Sequence, residues 1–206
     1  MKKTIIAGFS FGLMLIAMYS QAAIQPSYQA RCNLTEANAP TIRGLRLGMS
    51  ASEVLALFPR VTKNKEMKEA IDKAKSTSGS ETIYLAFDPA ADAVKGQFAG
   101  VQSVSAGFYK ARLVDFSIQY GGPTWRNIDE WVGKLSETLN LPASQAWMAG
   151  PSETPNKVLK CDGIEIEAAT QGGGAWIAVR NTAYLKGMEE QTNSAEEKKR
   201  REFKPL

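Results

Sequence analysis

Two glutamates in one strand, two distant cysteines and a Trp/Arg pair four residues apart are the side chains of this sequence best placed to do chemistry. Glu165 and Glu167, two apart in an apolar-polar alternation, share one strand face, as a pair of glycosidase acids could if a cleft lay between them. Pairing around Asp162-Gly163 sets Lys160 across from Glu165, which favours the plainer expectation of a solvated sheet face. Trp176 and Arg180 alternate onto that same outer face, and Trp and Arg are enriched at interface hot spots. Trp176, Arg180, Lys160, Glu165 and Glu167 are therefore the candidate partner-binding residues. The chain contains no histidine, which removes Ser-His-Asp and Cys-His catalysis and His-based zinc sites. Gly133-Lys134 lacks the preceding glycine and following Ser or Thr of a phosphate loop, and Gly172 to Gly174 joins two strands instead of opening a helix. Asp88 and Asp92 share a loop, but their spacing does not match a calcium loop. No catalytic residue, metal or cofactor is expected.

The elements that must position these residues are legible in part. Ser50 followed by Glu53 is a capping box, with Met49 and Val54 placed as a hydrophobic staple. Pro59 stops the helix that Ser50 starts, leaving Val54, Leu55 and Phe58 for a core. Residues 62–75 read as a second, mostly exposed helix on Met67, Ala70, Ile71 and Ala74, and Thr82 to Phe87 as a strand; Asp88 to Gly100 is a loop. Val104, Ala106 and Phe108, then Val114, Phe116, Ile118 and Tyr120, alternate with small or polar residues on either side of residues 109–112, a hairpin with one buried face. Trp125, Ile128, Trp131, Val132, Leu135 and Leu139 mark one face of a long helix that ends before Pro142. Asp162-Gly163 between two alternations is a type I′ hairpin signal, pairing Cys161 with Ile164, Leu159 with Ile166 and Lys160 with Glu165. The last strand, Ala175 to Arg180, turns Ile177 and Val179 inward. This order predicts an α+β fold with helices packed on one face of an antiparallel sheet, and it admits a distant internal duplication, helix then β-meander, twice.

Lys2 and Lys3, an apolar run from Ile5 to Tyr19 and Ser20-Gln21-Ala22 form a signal-peptide pattern cut after Ala22. The run is shorter than the roughly 20 residues of a membrane span. The mature chain is thus expected to be periplasmic or secreted, without a transmembrane anchor. Its domains are residues 1–22 as signal peptide, 23–40 as an extended arm, 41–185 as one α+β domain and 186–206 as a charged polar tail. Loss of Lys2 and Lys3 lowers Lys+Arg from 25 to 23 against 21 acids, a net charge of +2. That balance gives no basis for nucleic-acid binding. In an oxidising compartment Cys32 and Cys161 have one possible pairing, a disulfide.

Leu47-Gly-Met-Ser-x-x-Glu-Val54 resembles the helix-opening motif of small bacterial envelope proteins of the SmpA/OmlA type, which assist outer-membrane assembly, and the repeat unit of the β-lactamase inhibitory protein. From Ile42 to Asn181 the chain is similar to uncharacterised secreted bacterial proteins that combine this motif with a Trp-containing helix and a Cys in a strand. The resemblance implies a non-catalytic, protein-binding module, adaptor or inhibitor-like, whose partner is another envelope or secreted protein. A carboxylate-dependent hydrolase and a small-ligand carrier are the alternatives.

Overall fold

The computed structural model describes residues 32–61, 65–76, 81–172 and 174–203; the signal-peptide region and the first half of the extended arm lie outside them. Ser50 opens α1 (Ala51–Ala56) with the capping box its sequence requires. The Ser50 amide donates to Glu53 Oε2 at 2.7 Å and the Glu53 amide to Ser50 Oγ at 3.2 Å. The Ser50 amide and hydroxyl, both donating to Glu53 Oε2, hold that carboxyl below its ordinary pKa. The motif also docks: the Gly48 amide donates to the Leu113 carbonyl and the Leu113 amide to the Met49 carbonyl, both at 2.8 Å. Gly48 has φ +80, a backbone conformation that calls for glycine.

Among the described residues, five α-helices and a seven-stranded antiparallel sheet make up an α+β fold. The strands are β1 (Ile83–Phe87), β2 (Val101–Tyr109), β3 (Arg112–Tyr120), β4 (Met148–Ala149), β5 (Asn156–Lys160), β6 (Ile164–Gln171) and β7 (Gly174–Asn181), in the order β1-β2-β3-β7-β6-β5-β4. Two helices precede the meander β1-β2-β3 and one precedes β4-β5-β6-β7, and the final strands of the two meanders, β3 and β7, abut. On the inner face Phe116 pairs with Val179 and Ile118 with Ile177, and β6 adds Ile166 and Ala168 beside them. All six are at most 1% exposed. Phe58, following α1, stacks on Phe87 at 4.1 Å and Phe98 at 4.9 Å, while Trp131 on α4 (Ile128–Leu139) meets Tyr120 edge-on at 5.5 Å. α2 (Lys65–Lys75) packs beside β1 and buries Ile71 and Ala74. Residues 88–100, expected as a loop, contain one helical turn, α3 (Pro89–Asp92), in which Asp88 accepts from the Ala90 amide at 3.0 Å and Asp92 from the Asp88 amide at 2.9 Å. Those two carboxylates are capping groups.

The register around Asp162-Gly163 is the one expected. The turn type is not: neither residue has a positive φ, which type I′ demands at both central positions. The physical reason is a third partner, since the Asp162 amide donates to the Cys32 carbonyl and the Gly163 carbonyl accepts from Thr182. Both left-handed positions occur instead at Lys110 (φ 47) and Ala111 (φ 60) in the β2–β3 hairpin, where the Ala111 carbonyl accepts from the Ala51 amide of α1. Cys32 and Cys161 are joined as a disulfide, S–S 2.02 Å. The region expected as a polar tail begins within a helix, α5 (Thr182–Glu202), capped by Asn181. No helix among the described residues is long and apolar enough to cross a membrane.

Candidate functional site

Pairing across six strands lines up one row of side chains on the outer sheet face. Tyr84 stands opposite Gly107, Gly107 opposite Asp115, Asp115 opposite Arg180, Arg180 opposite Glu165, and Glu165 opposite Lys160. From β3 to β5 the row reads acid, base, acid, base. Arg180 is its hub: Nη1 donates to Glu167 Oε2 at 2.7 Å and to Glu165 Oε1 at 3.4 Å, and Nε lies 3.8 Å from Asp115 Oδ1. Glu167, one row along, also accepts from Asn156 Nδ2 at 2.7 Å. The Arg180 and Asp115 side chains are only 26% and 19% exposed, so the cluster is partly withdrawn from solvent. Burial alone would weaken the Arg180 charge, but the bond to Glu167 and the Asp115, Glu167 and Glu165 carboxylates together raise its pKa above the ordinary value. Burial pushes the Asp115 carboxyl up, against the opposing pull of Arg180 and a hydrogen bond from Tyr84.

Glycine and alanine make this packing possible. A Cβ on Gly107 would sit 2.7 Å from Tyr84 Cε1, so the bare backbone lets the Tyr84 ring cross toward Asp115. Ala178 and Ala169 likewise lie beneath longer neighbours and are at most 1% exposed. A further row holds Ser103, Gln119, Trp176, Ala169 and Asn156. Trp176 is half-buried there, beside a shallow hollow lined by Gln119, Gln171 and Gly174.

All five residues singled out from sequence thus share one face. Arg180, Glu165 and Glu167 are in contact, Lys160 is exposed across from Glu165, and Trp176 stands four positions along β7. Asp115, Tyr84 and Asn156 belong to the same constellation, which no local sequence pattern marks. Asp115 carried the right parity, between Val114 and Phe116, but only the β3–β7 pairing brings it to Arg180. A tyrosine-rich patch closes one end of the face. Tyr184 of α5 lies 4.7 Å from Tyr109, ring centre to ring centre, and Met188 accepts from Thr82 at 3.1 Å.

Chemically, the cluster is a fixed ionic network. Both glutamates share one guanidinium nitrogen of Arg180 on a sheet face, bound to a cation rather than set apart across a scissile bond. No group of three or more metal-ligating side chains occurs among the described residues. Compared with known proteins, the chain matches no family model, no curated protein and no solved structure.

Proposed function

We propose that this is a non-catalytic protein-binding module of the bacterial cell envelope, adaptor or inhibitor-like, that meets its partner on the outer face of the sheet. The observation carrying this reading is the alternating row Asp115, Arg180, Glu165, Lys160 with Trp176 alongside, on the face opposite the helices that bear Val54, Trp131 and Leu135. Alternating charge sets register and rejects mismatched partners, while a half-buried Trp supplies an anchor. Export is part of the proposal, supported by the Lys-Lys, apolar run and Ser-x-Ala of the first 22 residues and by the Cys32–Cys161 disulfide. The similarity of Leu47 to Val54 to envelope-assembly and inhibitor motifs points the same way.

The test is capture from an envelope extract on protein immobilised through the far end of α5, which is exposed from Glu189 onward. Wild type should retain a partner that Trp176→Ala releases, with binding weakened by about 2 kcal/mol or more and the melting temperature little changed. Equal capture by both forms would remove the outer face as the contact surface. Unfolding of Trp176→Ala would make Trp176 a structural residue and have the same consequence.

A further inference from the structure

On the opposite side of the sheet, a cleft of about 540 Å³ opens between α4, the turn at Arg43-Gly44 and the far ends of β2 and β3. Its walls are Tyr120, Trp125, Trp131, Leu135 and Leu139, with Trp125 and Trp131 tilted together at 5.0 Å. That size and apolar, aromatic lining match sites for small molecules. Among the described residues, two charged side chains line it, Arg43 and Lys134, both cationic, and no carboxylate does.

Both cations are placed to receive an anion. The Arg43-Gly44 turn is closed by reciprocal hydrogen bonds between Ile42 and Leu45, and it holds Arg43 at φ 54 and Gly44 at φ 90. A left-handed Arg is disfavoured against Gly or Asn, yet here it sits at the mouth of the cleft. Its Nη2 is steadied by the Ala99 carbonyl at 3.0 Å, and its charge acts on Tyr120, whose hydroxyl burial nonetheless pushes above its ordinary pKa. Lys134 bonds Glu137 at 2.8 Å, but both ends are more than half exposed; such a pair contributes little and yields to a better acceptor.

We infer that this cleft binds a small amphipathic carboxylate, its apolar chain or ring between Trp125, Trp131 and Leu139 and its carboxylate at Arg43 and Lys134. The site is separate from the outer sheet face, so its failure leaves the proposed partner surface untouched. Saturated chains below their micelle concentration provide the probe: decanoate, decanol and decylamine share one apolar body and differ in the head group. Intrinsic tryptophan fluorescence should saturate with decanoate at a concentration at least about tenfold below that for decanol or decylamine, one charge-assisted hydrogen bond's worth. Arg43→Gln should erase that preference while leaving decanol binding in place. Thr138→Phe, which fills the cleft from an exposed position, should weaken all three probes with the thermal melt unchanged. Equal binding of the three head groups, or decanoate binding indifferent to both substitutions, overturns the inference. Binding that appears only after residues 23–31 are removed assigns the cleft to the chain's own arm and overturns it too.

Discussion

Arg180 holds one positive charge among three carboxylates, so its loss does more than delete a contact. In Arg180→Met the stem is replaced and the charge is not, leaving Asp115, Glu165 and Glu167 facing one another in a partly buried row. Removing one partner of a buried pair costs several kcal/mol; with these side chains 14 to 26% exposed, a loss of about 2 to 3 kcal/mol is expected in urea unfolding at pH 7. The pH dependence has a definite sign. Burial already pushes the Asp115 carboxyl up, and without Arg180 the pull opposing that shift is gone, so the variant is relatively most stable below about pH 4 and loses ground as pH rises through the raised Asp115 value. The gap between wild type and variant should therefore shrink on acidification. A gap independent of pH would make Arg180 a packing residue rather than the hub of an ionic network.

Elements whose partners are close in sequence could be read from the chain, and those fixed by distant partners could not. The cap of α1 needs only Ser50 and Glu53, and the β5–β6 register needs only alternation around Asp162-Gly163. The adjacency of β3 and β7, which assembles the candidate site, joins residues 65 apart at Asp115 and Arg180, and no local pattern announces it. Lys110-Ala111 shows the limit for turns, since neither residue is a usual left-handed type and the conformation is held by docking to α1. α5 was hidden for a related reason. Its outer half has no apolar stripe, only i,i+4 pairs such as Glu196–Arg200 and Glu197–Arg201, while its inner end is anchored by Tyr184 and Met188 to β2 and the segment preceding β1. That anchor has an alkaline limit. Burial, with the neighbouring Tyr84, Tyr109 and Asp115, lifts the Tyr184 hydroxyl from 10.0 to about 12. A raised pKa favours folding while the group is protonated, so this contribution is complete below pH 10 and disappears as pH rises toward about 12. Tyr184→Phe should flatten the decline of the thermal midpoint across that interval, and an unchanged slope would show that other groups cause it.

At the scale of the whole molecule, one covalent link ties the N-terminal segment to the second meander. Cys32 pairs in parallel with Cys161 beyond the end of β5, where β4 has already stopped, and the Asp162 amide adds a bond to the Cys32 carbonyl. The segment then runs through a single turn of 3-10 helix, Glu36–Asn38, and Glu36 accepts from Asn181 at the start of α5. None of these contacts is needed to close the core that Phe116, Ile118, Ile177 and Val179 build at the β3–β7 seam. The disulfide therefore acts chiefly on the unfolded chain, by closing a loop whose ends are 129 residues apart. In the chain-entropy model a loop of that length contributes about 5 kcal/mol, an upper value where the unfolded chain keeps residual structure. Reduction, or Cys32→Ser with Cys161→Ser, should lower the urea midpoint substantially while far- and near-ultraviolet circular dichroism in water stay native. Because one cross-link also compacts the unfolded chain and shrinks the surface exposed on unfolding, the m-value should rise when it is cut. A fall in midpoint with an unchanged m-value would instead locate the disulfide's contribution in the folded state, through the arm it holds against β5.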